Sequence, residues 1–125
     1  MKHSILISML LLATMYAYAQ KPNWKELTSF HAIMSATFHP AEEHNLKPLK
    51  DSSNVLLQRA KEWKESSIPK GFEAKAIKPL LNKLFAEAEL LHAKVLKQHP
   101  EEELVRQITN LHTTFHLIVK ECYEH

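Results

Sequence analysis

Apolar residues recur along this chain at intervals of three and four, and the intervals are broken at regular places by proline. Leu27, Phe30, Met34 and Phe38 form one such stripe, the spacing of a single buried helical face. Asn23, with Glu26 three residues on, is the expected N-cap of that first helix. Pro40 disfavours helix at the residue before it, which puts the predicted end near Phe38 or His39. Residues 40–47 are a predicted connection with one irregular turn.

A second helix is expected over residues 48–66, with Leu49, Leu56, Ala60 and Trp63 on one face and Lys50, Arg59, Lys61, Glu62 and Glu65 on the others. Residues 66–71 hold two serines, Pro69 and Gly71, a turn composition. The third helix should start at about Glu73 or Ala76 and end near Gln98, with Pro79 delaying its regular part to about Lys78. Its stripe of Ile77, Leu80, Leu81, Leu84, Phe85, Ala88, Leu91, His92 and Val95 is broad enough for a bundle core. His99-Pro100 breaks the chain again, and Glu101, Glu102 and Glu103 put negative charge where the dipole of a fourth helix favours it. That helix is expected over residues 101–122, burying Leu104, Ile108, Leu111, Phe115, Ile118, Val119 and Cys122. Four amphipathic helices with short connections predict an all-α, antiparallel up-down-up-down four-helix bundle.

The first nineteen residues follow a different pattern. Lys2 and His3 precede an apolar run over residues 5–13, and Ala17-Tyr18-Ala19 is a small-x-small motif. Together these form the pattern of a cleaved signal peptide, residues 1–19, so the expected mature chain is a single domain over residues 20–125 in the periplasm or outside the cell. The apolar run is shorter than the roughly 20 residues of a membrane span, and no later stretch matches it. No cysteine lies beside the cleavage motif to take a lipid.

Charge then narrows the partners. The chain carries a formal net charge of +2, and loss of Lys2 lowers it by one. Its basic residues are scattered over polar faces rather than clustered, which argues against nucleic-acid binding. Gly71 is the single glycine and Cys122 the single cysteine. A chain so poor in glycine has no phosphate-cradling loop or dinucleotide fingerprint, and one cysteine permits no intrachain disulfide. Cys122 leaves open a link between two copies, and bundles of this kind often pair, so a homodimer is a candidate state.

Histidine is the chemically distinctive residue. His112 and His116 stand one turn apart on the fourth helix, stacked on one face. His31, His92 and His112 fall within or beside apolar stripes on three helices, each near mid-helix, and His39 lies two turns beyond His31. Neutral imidazole is a good ligand for zinc, copper, nickel and iron, and bundles build such sites from facing helices. The expected metal ligands are therefore His31, His112 and His116, with His39 next and zinc or copper the expected ions. Glu42, Glu43 and Cys122 are further donors in reach of that set. The competing expectation for His92 is a hydrogen-bonded core histidine. Thr113 stands where a zinc protease needs glutamate, no serine lies in a nucleophile elbow, and Cys122 has no base at a catalytic spacing. No enzyme activity is expected, and the reading that competes with metal binding from another class is a non-catalytic periplasmic partner-binding or stress protein whose histidines pack or titrate.

On the last helix, His112-Thr113-Thr114-Phe115-His116 resembles the Cys-x-x-Cys-His stretch of the cytochrome c-prime family and its soluble b-type relatives, which are periplasmic four-helix bundles. The final histidine is kept as His116, while His112 and Phe115 replace the two attachment cysteines. The resemblance implies the same bundle architecture and, with covalent attachment impossible, a non-covalent b-type haem on His116 with His31 or Met34 opposite. The added ligand at His112 favours a bare metal ion over that alternative.

Overall fold

A computed structural model describes residues 22–124. The predicted signal peptide lies outside the described residues. Among the described residues four helices follow in order: α1 (Lys25–Glu42), α2 (Lys47–Glu65), α3 (Ala74–Leu96) and α4 (Glu101–Tyr123). No strand occurs among the described residues. Each helix packs on its neighbour in sequence and α4 closes the ring against α1, the α1–α4 seam being the most sparsely packed of the four. This is the four-helix bundle that the periodicity predicted.

Contacts at the two ends fix the antiparallel directions. At one end Trp24, just before α1, meets Trp63 near the end of α2 at 5.7 Å, and Phe72, just before α3, meets Tyr123 near the end of α4 at 5.4 Å. At the other end His44, after α1, lies 3.6 Å from Glu101 at the start of α4. The predicted stripes are the core: Phe30, Leu49, Leu56, Trp63, Ile77, Leu84, Leu91, Ile108, Leu111 and Ile118 are all buried. Phe30, Trp63 and Phe115 pack ring against ring between the helices at 5.4–6.0 Å. Fully burying one such side chain contributes about 1.5–3 kcal/mol.

The boundaries differ from expectation in instructive ways. α1 does not stop at Phe38 or His39 but runs through Pro40 to Glu42. A proline costs a helix the bond from its own missing N–H to the carbonyl four residues back. Here that carbonyl belongs to exposed Ala36 and can turn to water, while the extra turn buries Ala41. Pro79 is tolerated inside α3 for the same reason, since Lys75 is exposed, and α3 begins at Ala74 rather than near Lys78. Asn23 is not the cap of α1. Trp24 takes that position without a side-chain cap bond, because its indole is drawn into the core and its Nε1 donates to Ser66 Oγ at 3.0 Å. Ser66 Oγ in turn donates to the Trp63 carbonyl at 2.7 Å, so one serine ties the start of α1 to the end of α2.

α1 and α3 end two residues short of a positive φ, at His44 (65°) and Gln98 (55°). Around His44 the amide of Asn45 bonds the Pro40 carbonyl and that of His44 bonds Ala41, and around Gln98 the amide of His99 bonds Lys94 and that of Gln98 bonds Val95. Both are Schellman ends built without glycine.

A candidate metal-ligating site on the α1–α4 seam

The core stripe of α4 places Leu111 and Phe115 inward. The residue after an inward one is rotated about 100° around the helix and emerges on its flank. His112 and His116 follow Leu111 and Phe115 in this way, and on α1 His31 and His39 follow the inward Phe30 and Phe38. The flanks meet at the seam. His112 stacks on Phe38 of α1 with ring centroids 3.8 Å apart and planes 16° from parallel, and His31 stacks on Phe115 of α4 at 5.2 Å and 14°. The two phenyl rings thus position imidazoles of the opposite helix.

His112 and His116 turn their Nε2 atoms to one another at 3.1 Å, with ring planes 82° apart. One of these nitrogens donates a hydrogen bond to the other, the direction being set by the tautomers of the two rings. The same separation suits a shared ion: with metal–nitrogen bonds of about 2.0–2.1 Å, two nitrogens 3.1 Å apart subtend roughly 95–100° at the metal, between the octahedral and tetrahedral angles. His112 is half-buried and its pKa lies below the ordinary imidazole value. Burial is the main cause and the neighbouring His116 the next; Glu42 acts against them, and His39 and His31 add small depressing effects. A ring that resists protonation keeps its lone pair for a metal.

The other predicted ligands surround this pair without joining it. His31 and His39 are exposed, and His39 Nδ1 sits 3.7 Å from Glu42 of its own helix. Among the described residues no group of three or more His, Cys, Asp or Glu side chains is arranged to hold a metal ion. The four seam histidines are thus neighbours around one ready-made pair rather than a finished site. His92 faces α2 instead, its Nδ1 within 2.9 Å of Ser53 Oγ, which matches the hydrogen-bonded alternative. Cys122 is buried in the core. The expected mid-helix convergence of His31, His92 and His112 does not form, because His92 leaves Leu91 on the flank that meets α2. His44 and His99 sit at the far end beside Glu101 and Glu103.

Sequence reasoning did not single out Phe38 and Phe115 as the groups that orient the imidazoles. The signal available was the recurring pair of an inward apolar residue followed by histidine. No helix among the described residues is long and apolar enough to cross a membrane. No protein-family model matches the chain, and no curated protein or solved structure matches it at a significant level.

Proposed function

We propose that this protein is an exported helical bundle that binds a transition-metal ion on the α1–α4 seam, for sequestration, delivery or sensing rather than turnover. The observation that carries the reading is the His112–His116 pair, with its two Nε2 atoms 3.1 Å apart on a rigid helix. Placing both donors on one helix removes most of the ordering cost of chelation, since the backbone already fixes their spacing. Zinc and copper are the expected ions, both being well served by imidazole. His31 and His39 lie close enough to influence His112 electrostatically and are the nearest additional nitrogen donors on α1.

The haem alternative has less support. Met34 is 1% exposed and His116 lies at the surface, and the interior beside them is filled by the packed rings of Phe30, Trp63 and Phe115. A porphyrin between His116 and Met34 would have to displace that packing.

The test is a competition titration of chelator-treated protein with zinc and with copper against a chromophoric chelator. The proposal expects stoichiometric binding that is lost in the His112→Ala/His116→Ala double variant. Binding of undiminished stoichiometry and affinity in that variant would sink it.

A further inference from the structure

We propose that the α1–α4 face docks a second copy of this chain, and that one metal ion joins the two copies through His112 and His116 of each. The inference rests on the metal-binding reading above and says what completes the site.

Coordination chemistry supplies the first half of the argument. A structural zinc ion takes four protein ligands in a closed tetrahedral shell. One chain presents two in chelating position, and no group of three is assembled among the described residues. His116 is exposed, so the pair opens outward, toward anything that docks on α4. A twofold axis passing beside the pair brings up the same two nitrogens from a second chain, giving four imidazoles from one symmetric operation. Such an isologous contact needs a single surface patch that complements itself.

The surface supplies the second half. Residues 27–41 of α1 and residues 107–119 of α4 contain no Asp, Glu, Lys or Arg. The exposed positions of those runs include Thr28, Ala32, Ala36, Thr113 and Leu117 besides the histidines. α2 and α3, by contrast, expose Lys50, Arg59, Lys61, Lys78, Lys83 and Glu89. The middle of the α1–α4 face therefore carries no Asp, Glu, Lys or Arg, with Glu42 at its edge close enough to act on His112, whereas the opposite side of the bundle is densely charged. Depletion of charge is the compositional mark of an interface centre. Leu117, next to His116 on α4, is 41% exposed in the single chain and is the apolar residue that docking would cover. A face whose centre is uncharged sets no like charges against each other there when it meets its own copy, whereas a centre with a net sign would select a partner of opposite sign. A second copy is the occupant that satisfies both the neutral surface and the half-built coordination shell.

The experiment is sedimentation velocity of chelator-treated protein at pH 7.5, with and without equimolar zinc, together with the zinc content of each separated species. Wild-type protein should double in mass on zinc addition and carry one zinc per two chains. His116→Ala should stay at single-chain mass. Leu117→Arg, which spares every ligand but puts a cation on the face, should require at least tenfold more protein to pair while still binding zinc. One zinc per chain with no change in mass would overturn the bridged pair and leave the metal-binding reading intact. No bound zinc at all would overturn both, and pairing that ignores zinc and His116→Ala would overturn the bridge.

Discussion

Replacing His112 and His116 one at a time should separate two roles that the same imidazoles play. In the metal-free protein His112 is half-buried and stacked on Phe38 at 3.8 Å. An aromatic pair of this kind contributes about 0.5–1.5 kcal/mol beyond the area it buries, so His112→Ala should destabilise the bundle by about 1–2 kcal/mol once the lost burial is added. His116 is exposed, and His116→Ala should stay within about 0.5 kcal/mol of wild type, as surface changes do. For a domain near 100 residues each kcal/mol moves Tm by about 4–8 °C, giving a fall of roughly 4–16 °C in the first variant and little change in the second. With metal at 100 times its Kd, wild type should gain about 2.7 kcal/mol, roughly 10–20 °C, and both variants should lose that gain. The assay is thermal unfolding followed by circular dichroism, with chelator and with zinc or copper. A His116→Ala protein that keeps the full metal shift, or that is destabilised without metal as much as His112→Ala, would refute the assignment of the two rings.

Two further outcomes are expected. Because the pKa of His112 is lowered in the fold, mainly by burial and then by His116, the unfolded chain binds its proton more readily than the native one. Stability therefore rises with pH across the window from the depressed native value up to about 6.5 and is fully present above it. Urea unfolding of metal-free protein between pH 5 and 7.5 should show this rise, and His112→Gln should flatten it; an unchanged slope in the variant would place the proton elsewhere. Ser66→Ala removes the acceptor of the buried Trp24 Nε1 and the bond to the Trp63 carbonyl, which should cost about 2–3 kcal/mol. A loss under about 0.5 kcal/mol by denaturant unfolding would show that the serine does not tie α1 to α2.

The helices were legible because their apolar spacing is a consequence of the burial that holds them: each predicted stripe supplies core residues, with Leu80, Phe85, Val95 and Val119 partly buried against its edge. Their ends were less legible for specific reasons. Sequence rules weigh a proline as a stop, but Pro40 and Pro79 each free the carbonyl of an exposed residue, Ala36 and Lys75, which is open to solvent for its hydrogen bond. The stop signals that do operate, His44 and Gln98 in the left-handed region, carry no sequence mark because glycine, the usual occupant, is absent there. At the start of α1 the capping pattern of Asn23 and Glu26 lost to the burial of Trp24, a case of tertiary packing overriding a local preference. The His112–His116 pair was legible from spacing alone, since one helix sets both positions. The relation of that pair to His31 and His39 required the rotation of α1 against α4, which no periodicity encodes.

The structure also changes why a metal is proposed. Imidazoles on apolar stripes, if buried, would leave nitrogens in need of a partner, and a metal would relieve that cost. The fold removes that need: His31, His39 and His116 are solvated, and His92 is satisfied by Ser53. The core forms from Phe30, Trp63, Phe115 and the aliphatic stripes without them. The bundle is therefore assembled without a metal, and the proposed ion would add its binding energy to that structure rather than substitute for a missing core. That separation suits a carrier or sensor, because loss of the ion leaves a folded protein able to bind again. It also places the ligands on the seam where neighbouring helices grip each other least, so an ion held there, and a second chain over it, would stiffen the one side of the ring that its own packing leaves weakest.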